Sequence, residues 1–178
     1  MNKIEDMTSQ EMTLSLTYSG FVMVAFELVK SLIVKPIKYF YMNTTFVNGL
    51  FNSYEKAVLS RHRNEFEACL LYLRDFMKAI DSEDLFIIQE LRKHRNTLAH
   101  DLVNELQRLN MKSFVPLLEK VDKVLFKLSN YQTYIDIGAD PEFKNKGIDW
   151  ETVKGHEYIL FEEVLNKIKF LLIGDENT

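Results

Sequence analysis

The chain has 178 residues, 47% of them apolar, with a formal net charge of −4, six glycines, three prolines and one cysteine. That length and apolar content suit one sizeable core, so residues 1–178 are read as a single domain. The lone Cys69 excludes an internal disulfide and fits a reducing cytoplasm, and the acidic balance is not that of a protein that holds nucleic acid through bulk positive charge.

The first residues carry Lys3, Glu5 and Asp6 with no apolar core behind a basic start, so no secretory signal is expected. Thr8 and Glu11 have capping-box form, and Leu14, Tyr18, Phe21, Val22, Ala25, Leu28, Val29, Leu32 and Ile33 then mark one apolar helical face. Its most apolar run, Met12 to Phe26, is about fifteen residues. A bilayer span needs roughly twenty, so this is a core helix and no membrane contact is expected. Pro36 is expected to end or kink it, and Asn43 to Ser53, with Gly49, reads as a loop.

Asn52 with Glu55 offers a capping pair for a second helix through Leu59, His62, Phe66, Leu70, Leu73, Phe76 and Met77, to about Ile80. His62 then sits in the apolar stripe and reads as a core histidine. Asp81 or Ser82 caps a third helix whose stripe is Leu85, Ile88, Leu91, Leu98, Leu102, Leu106 and Leu109. Ser113, with Pro116 tolerated in the first turn, opens a fourth through Leu117, Val121, Val124 and Leu128. From Tyr131 to Val153 the periodicity dissolves into a long irregular loop holding Gly138, Pro141, Gly147 and the only tryptophan, Trp150. Loops of that length are commonly functional or mobile. A last helix runs from about Gly155 to Ile173, with His156 unremarkable at its start. No window shows the alternation strands require, so the fold class is all-α, a helical bundle of about four to six helices.

One segment carries chemistry. Arg92-Lys93-His94-Arg95-Asn96-Thr97-Leu98-Ala99-His100 brings arginine, asparagine and histidine together. Imidazole moves protons near neutral pH, and guanidinium grips a phosphate through paired hydrogen bonds while charge builds on its oxygens. His100 is the candidate general acid or base, Arg95 the phosphate clamp, and Asn96 the residue that orients one of them. Arg92 and His94 are candidates for gripping an RNA backbone, set against the blander expectation of solvated helix residues. Residues 56 to 112 are close to neutral, which leaves this local basic cluster free to hold a short strand. The chain shows no phosphate-binding loop and no His and carboxylate cluster at metal-ligand spacing, so no cofactor and no metal are called for.

Helical geometry constrains this assignment. In an unbroken helix Arg95 and His100 point about 140° apart, whereas Arg92, Asn96 and His100 align at steps of four. Either Asn96 caps a new helix after a break at Arg95, or the two groups meet counterparts from a second subunit across a two-fold axis. The stripe Leu91, Arg95, Leu98 is the face expected to pair in such a homodimer.

Arg95-Asn96 followed by His100, late in an amphipathic helical stretch, resembles the Arg-x4-His motif of the HEPN superfamily, the higher eukaryotes and prokaryotes nucleotide-binding domains. The resemblance covers about residues 54 to 110, and residues 92 to 102 specifically. It implies a helical RNase of a prokaryotic toxin or defence system, metal-independent, cleaving RNA by 2'-hydroxyl attack at a composite site built from two copies of the motif, with an antitoxin or regulatory partner possible. Some HEPN toxins carry a modifiable tyrosine two residues after the histidine, and this chain has Leu102 there. The alternatives are a non-catalytic RNA- or nucleotide-binding module and a helical interaction scaffold of the same fold.

Overall fold

The computed structural model describes residues 7–43, 53–102, 104, 110–138, 140–143 and 146–174. Among them are six α-helices and no strand: α1 (Ser9–Asn43), α2 (Tyr54–Ala57), α3 (Glu65–Asp75), α4 (Ser82–His100), α5 (Val115–Ile137) and α6 (His156–Gly174). Two 3-10 turns, Leu59–Arg61 and Met111–Phe114, precede α3 and α5. The fold is the all-α bundle expected from the periodicity. No helix among the described residues is long and apolar enough to cross a membrane.

The spine is α1, 35 residues long. Thr8 and Glu11 form its capping box, with Thr8 N donating to Glu11 Oε2 at 2.8 Å and Glu11 N to Thr8 Oγ1 at 3.1 Å. Those bonds hold the Glu11 carboxyl below its usual range. Pro36 does not end this helix, which continues to Asn43. A proline costs the helix a hydrogen bond, but Leu32, Ile33, Val34 and Ile37 are buried around it, and that packing carries the turn. The loop expected after Asn43, and Asn52, lie outside the described residues.

The single second helix expected through Ile80 is instead three short pieces. Ser53 caps α2, Val58 leaves it for the 3-10 turn, and His62 is extended at φ −161 and ψ 147. His62 is therefore no core residue: it is exposed, and its Nδ1 accepts from Asn64 N at 3.0 Å. Asn64 then caps α3 by accepting from Glu67 N at 3.2 Å. Phe66, Cys69, Leu70 and Leu73 enter the core from that helix.

Asp81 caps α4 as expected, in a reciprocal capping box with Asp84. Leu85, Ile88, Leu91 and Leu98 are buried from it. The helix stops at His100 and does not continue toward Leu109, because Asp101 leaves helical geometry at φ −136 and ψ 39 and accepts from Asn104 Nδ2 at 2.7 Å. Leu106 and Leu109 lie outside the described residues. Pro116 sits in the first turn of α5, as its sequence position predicts.

That helix runs to Ile137, so the irregular segment starts later than Tyr131. Polar and aromatic residues near the end of α5 anchor that segment. Ser129 is buried and its Oγ accepts from Gly155 N at 2.8 Å, Asn130 Nδ2 donates to the carbonyls of Trp150 and Val153, and Tyr134 meets Trp150 edge to face at 5.6 Å. Gly155 is required there, since a Cβ would stand 2.9 Å from Ser129 Oγ. Closing the bundle, α6 buries Tyr158, Phe161, Leu165, Ile168 and Leu172 and packs chiefly on α1.

Because Asn64 supplies the only side-chain cap of α3, Asn64→Ala should cost about 1 kcal/mol of stability. Urea denaturation checks this as a lowered midpoint with an unchanged m-value.

Candidate functional site

Residues 92 to 100 occupy one unbroken helix, so Asn96 caps no new start and no break at Arg95 turns it toward His100. The segment is distributed around three sides of α4. His94 and the leucines point inward, Arg95 leans toward α1, and Arg92, Asn96 and His100 follow one another along the side next to α3.

His94 is buried, 6% exposed. Its Nε2 lies 3.1 Å from the Tyr18 hydroxyl of α1, and Phe114 stacks on its ring at 3.6 Å and 18°. It is thus out of reach of an RNA strand, which corrects its assignment as a backbone contact. Burial pushes its pKa down to about 4 and lifts that of Tyr18 well above the phenol range. Leu91 and Leu98 are likewise filled against the chain's own core, so their stripe is not a free dimer face.

Arg92 and Arg95 are each held by a Phe-Glu dipeptide. The Arg92 guanidinium lies 5.8 Å from the Phe66 ring centroid and Nη1 pairs with Glu67. Arg95 lies 5.3 Å from the Phe26 centroid, and Nη2 reaches Glu27 Oε1 at 3.5 Å. Phe26 and Phe66 themselves meet edge to face at 5.5 Å, so one aromatic pair underlies both cations. The grips differ in strength. Glu67 is a buried carboxylate whose second oxygen accepts from Gln89 Nε2 at 2.8 Å, while the Glu27 side chain is 55% exposed. An exposed pair at that distance contributes little. Arg95 also donates from Nη1 to Asn96 Oδ1 at 3.1 Å, and its Nε is buried with no acceptor among the described residues.

Arg92, Asn96 and His100 line an open groove of about 470 Å³, with Gln89, Lys93 and Thr97 beside them and Glu67 contributed by α3. His100 is exposed at its end and makes no hydrogen bond among the described residues. Asn96 therefore joins the two candidate catalytic groups, bonded to Arg95 and lining the groove of His100. A larger groove of about 1070 Å³ lies between the C-terminal half of α1, the end of α5 and the start of α6, with Tyr39 and Phe76 exposed along it. It shares no residue with the motif. We place the candidate site on α4, where imidazole, guanidinium and amide share one surface, and not in the larger cavity, whose size alone supplies no chemistry.

Sequence reasoning missed Glu67, Gln89 and Tyr18. A carboxylate inside the apolar run Phe66 to Leu73 was the available signal, since a buried charge demands a partner. Among the described residues, no group of three His, Cys, Asp or Glu side chains is placed to hold a metal ion. No family model matches the chain, and neither a curated protein nor a solved structure matches it.

The His94 environment sets a pH dependence. A histidine at about 4 when folded and about 6.5 when unfolded binds its proton preferentially in the unfolded chain, so stability is full above 6.5 and falls with pH down to about 4. The loss is on the order of 3 kcal/mol over that window. Urea midpoints measured from pH 7 to pH 5 should fall steadily for the native chain and stay flatter for His94→Gln.

Proposed function

We propose that the chain is a metal-independent endoribonuclease of the toxin or defence kind, acting on RNA in the cytoplasm as a two-fold homodimer. The observation that best supports this is the loose hold on Arg95. Its buried Nε has no acceptor among the described residues and its ion pair is long and exposed, so a phosphate presented beside Asn96, to which it is already bonded, can draw the guanidinium without breaking a strong contact.

In the reaction, His100 as general base takes the proton of the ribose 2'-hydroxyl, and the 2'-oxygen attacks the adjacent phosphorus. Arg95 stabilises the charge gathering on the phosphoryl oxygens, and Asn96 fixes the guanidinium. The phosphorus–O5' bond breaks, a proton is returned to the leaving oxygen, and the products are a 2',3'-cyclic phosphate and a 5'-hydroxyl. The reaction needs a base and an acid, and one chain offers a single exposed imidazole in the groove. A second copy would supply the other. Since Leu91 and Leu98 are committed to the core, the pairing face in this proposal is the groove side of α4 with Asn96, Thr97 and His100. A regulatory partner would act without the tyrosine that Leu102 replaces.

A second reading, a non-catalytic RNA-binding or scaffold module, is favoured by one observation: the Phe26 and Glu27 contacts of Arg95 would equally serve a structural tether between α1 and α4.

Arg95→Ala and His100→Ala should each lower cleavage of single-stranded RNA on the order of a hundredfold or more, with the helical circular dichroism retained, whereas His156→Ala should not. Cleavage that survives in both variants sinks the assignment and leaves the module. Activity should persist in excess chelator, and a single deoxy substitution at the scissile nucleotide should block the cut there. Light scattering at micromolar concentration should give a dimer mass; a strict monomer rules out the composite site.

A further inference from the structure

The two arginines of the segment are held so differently that they cannot do the same work. Arg95 is loosely tethered to an exposed carboxylate. Arg92 is held: one nitrogen of its guanidinium, Nη1, is bound to the buried Glu67, whose other oxygen is taken by Gln89, and its face rests over Phe66. Its remaining N–H groups have no acceptor among the described residues, and the side chain, 31% exposed, borders the groove. A guanidinium clamped on one edge and open on the other presents a preorganised fork to a phosphate.

Position excludes the scissile phosphate as its ligand. Arg92 precedes His100 by two helical turns, about 12 Å of rise, and helical side chains lean toward the N-terminus. The tether to Glu67 holds it there.

We propose that Arg92, fixed by Glu67, is a second phosphate subsite of the groove, one that binds a phosphodiester flanking the one cut and so selects a strand of several nucleotides over a single dinucleotide. This rests on the ribonuclease reading above and adds to it the substrate's extent and a positioning role for Glu67. Lys93, also in the groove, adds positive charge on the same side.

A buried ion pair that only stabilises the core would have the same coordinates. The test is the double variant E67Q/R92Q, which removes one charge of each sign, leaves the net charge unchanged and keeps polar groups at both positions. The substrates are a mixed-sequence RNA decamer and dinucleoside monophosphates drawn from it. The ratio of kcat/KM for the decamer over the dinucleotide should fall about tenfold, through KM. Binding of the uncleavable DNA decamer should lose about 0.7 from its slope of log affinity against log salt, the value for one single-strand phosphate contact. R92K, which retains the ion pair, covers the case in which the double variant does not fold. It should also lower the ratio several-fold, because an ammonium cannot hold Glu67 and a phosphate in one fork.

An unchanged ratio and slope overturn the proposal, whether the two cleavage rates fall together, as a structural role requires, or neither moves. If the native chain cuts neither substrate, the ribonuclease reading fails and this inference with it; an active native chain with an indifferent variant removes the subsite alone.

Discussion

An α-helix rotates 100° per residue, and every property of this candidate site follows from α4 keeping that rotation through its polar segment. Without a break, consecutive residues cannot share a direction. His94 is driven into the core, Arg95 toward α1, and Asn96 and His100 outward, so a single chain separates the guanidinium of Arg95 from the imidazole with which the proposed reaction pairs it. Asn96 spans part of that separation through its bond to Arg95. The remainder is what a symmetric partner would close, and this is the physical reason a dimer enters the mechanism at all.

The neighbours of α4 convert that rotation into two unequal cation sites. Both arginines lie over rings of the same aromatic pair, Phe26 and Phe66, and both pair with the glutamate that follows the ring in sequence. Burial alone separates them. A carboxylate out of water, bonded twice, orders its arginine, whereas one in water with a long contact leaves its arginine free to answer a ligand. The same helix thus carries one ordered and one loosely held guanidinium three residues apart.

The helical class, the capping box of α1, a cap for α4 at Asp81 or Ser82 and the place of Pro116 in the first turn of α5 were legible because each rests on local rules: apolar spacing, Thr8 with Glu11, an acceptor side chain before a helix start. What was not legible was set by distant partners. Pro36 is tolerated because of packing, and the tie from Ser129 and Asn130 to Gly155, Trp150 and Val153 exists only once those residues arrive from further along the chain. His62 and His94 exchanged the environments expected of them for the same reason: the extended backbone at His62 carries it out of the core, and Tyr18, 76 positions before His94, gives a buried imidazole its hydrogen bond. The candidate residues of α4 were named from sequence, but the buried carboxylate that pairs with Arg92 is a tertiary fact.

The dominance of the contact between α1 and α6 has a temporal side. The two helices are more than a hundred residues apart along the chain, so α1 emerges from the ribosome well before the helix on which it packs most extensively. At about 5 to 20 residues per second its apolar face waits several seconds or more for that cover, packed meanwhile only on α3, α4 and α5. Loop closure of that length also enters the folding barrier, which places this bundle among the slower all-helical folders despite its local helices. Both helices that line the groove, α3 and α4, precede α6 in the chain, so in that interval the residues of the groove are already synthesised while the far side of α1 stands open.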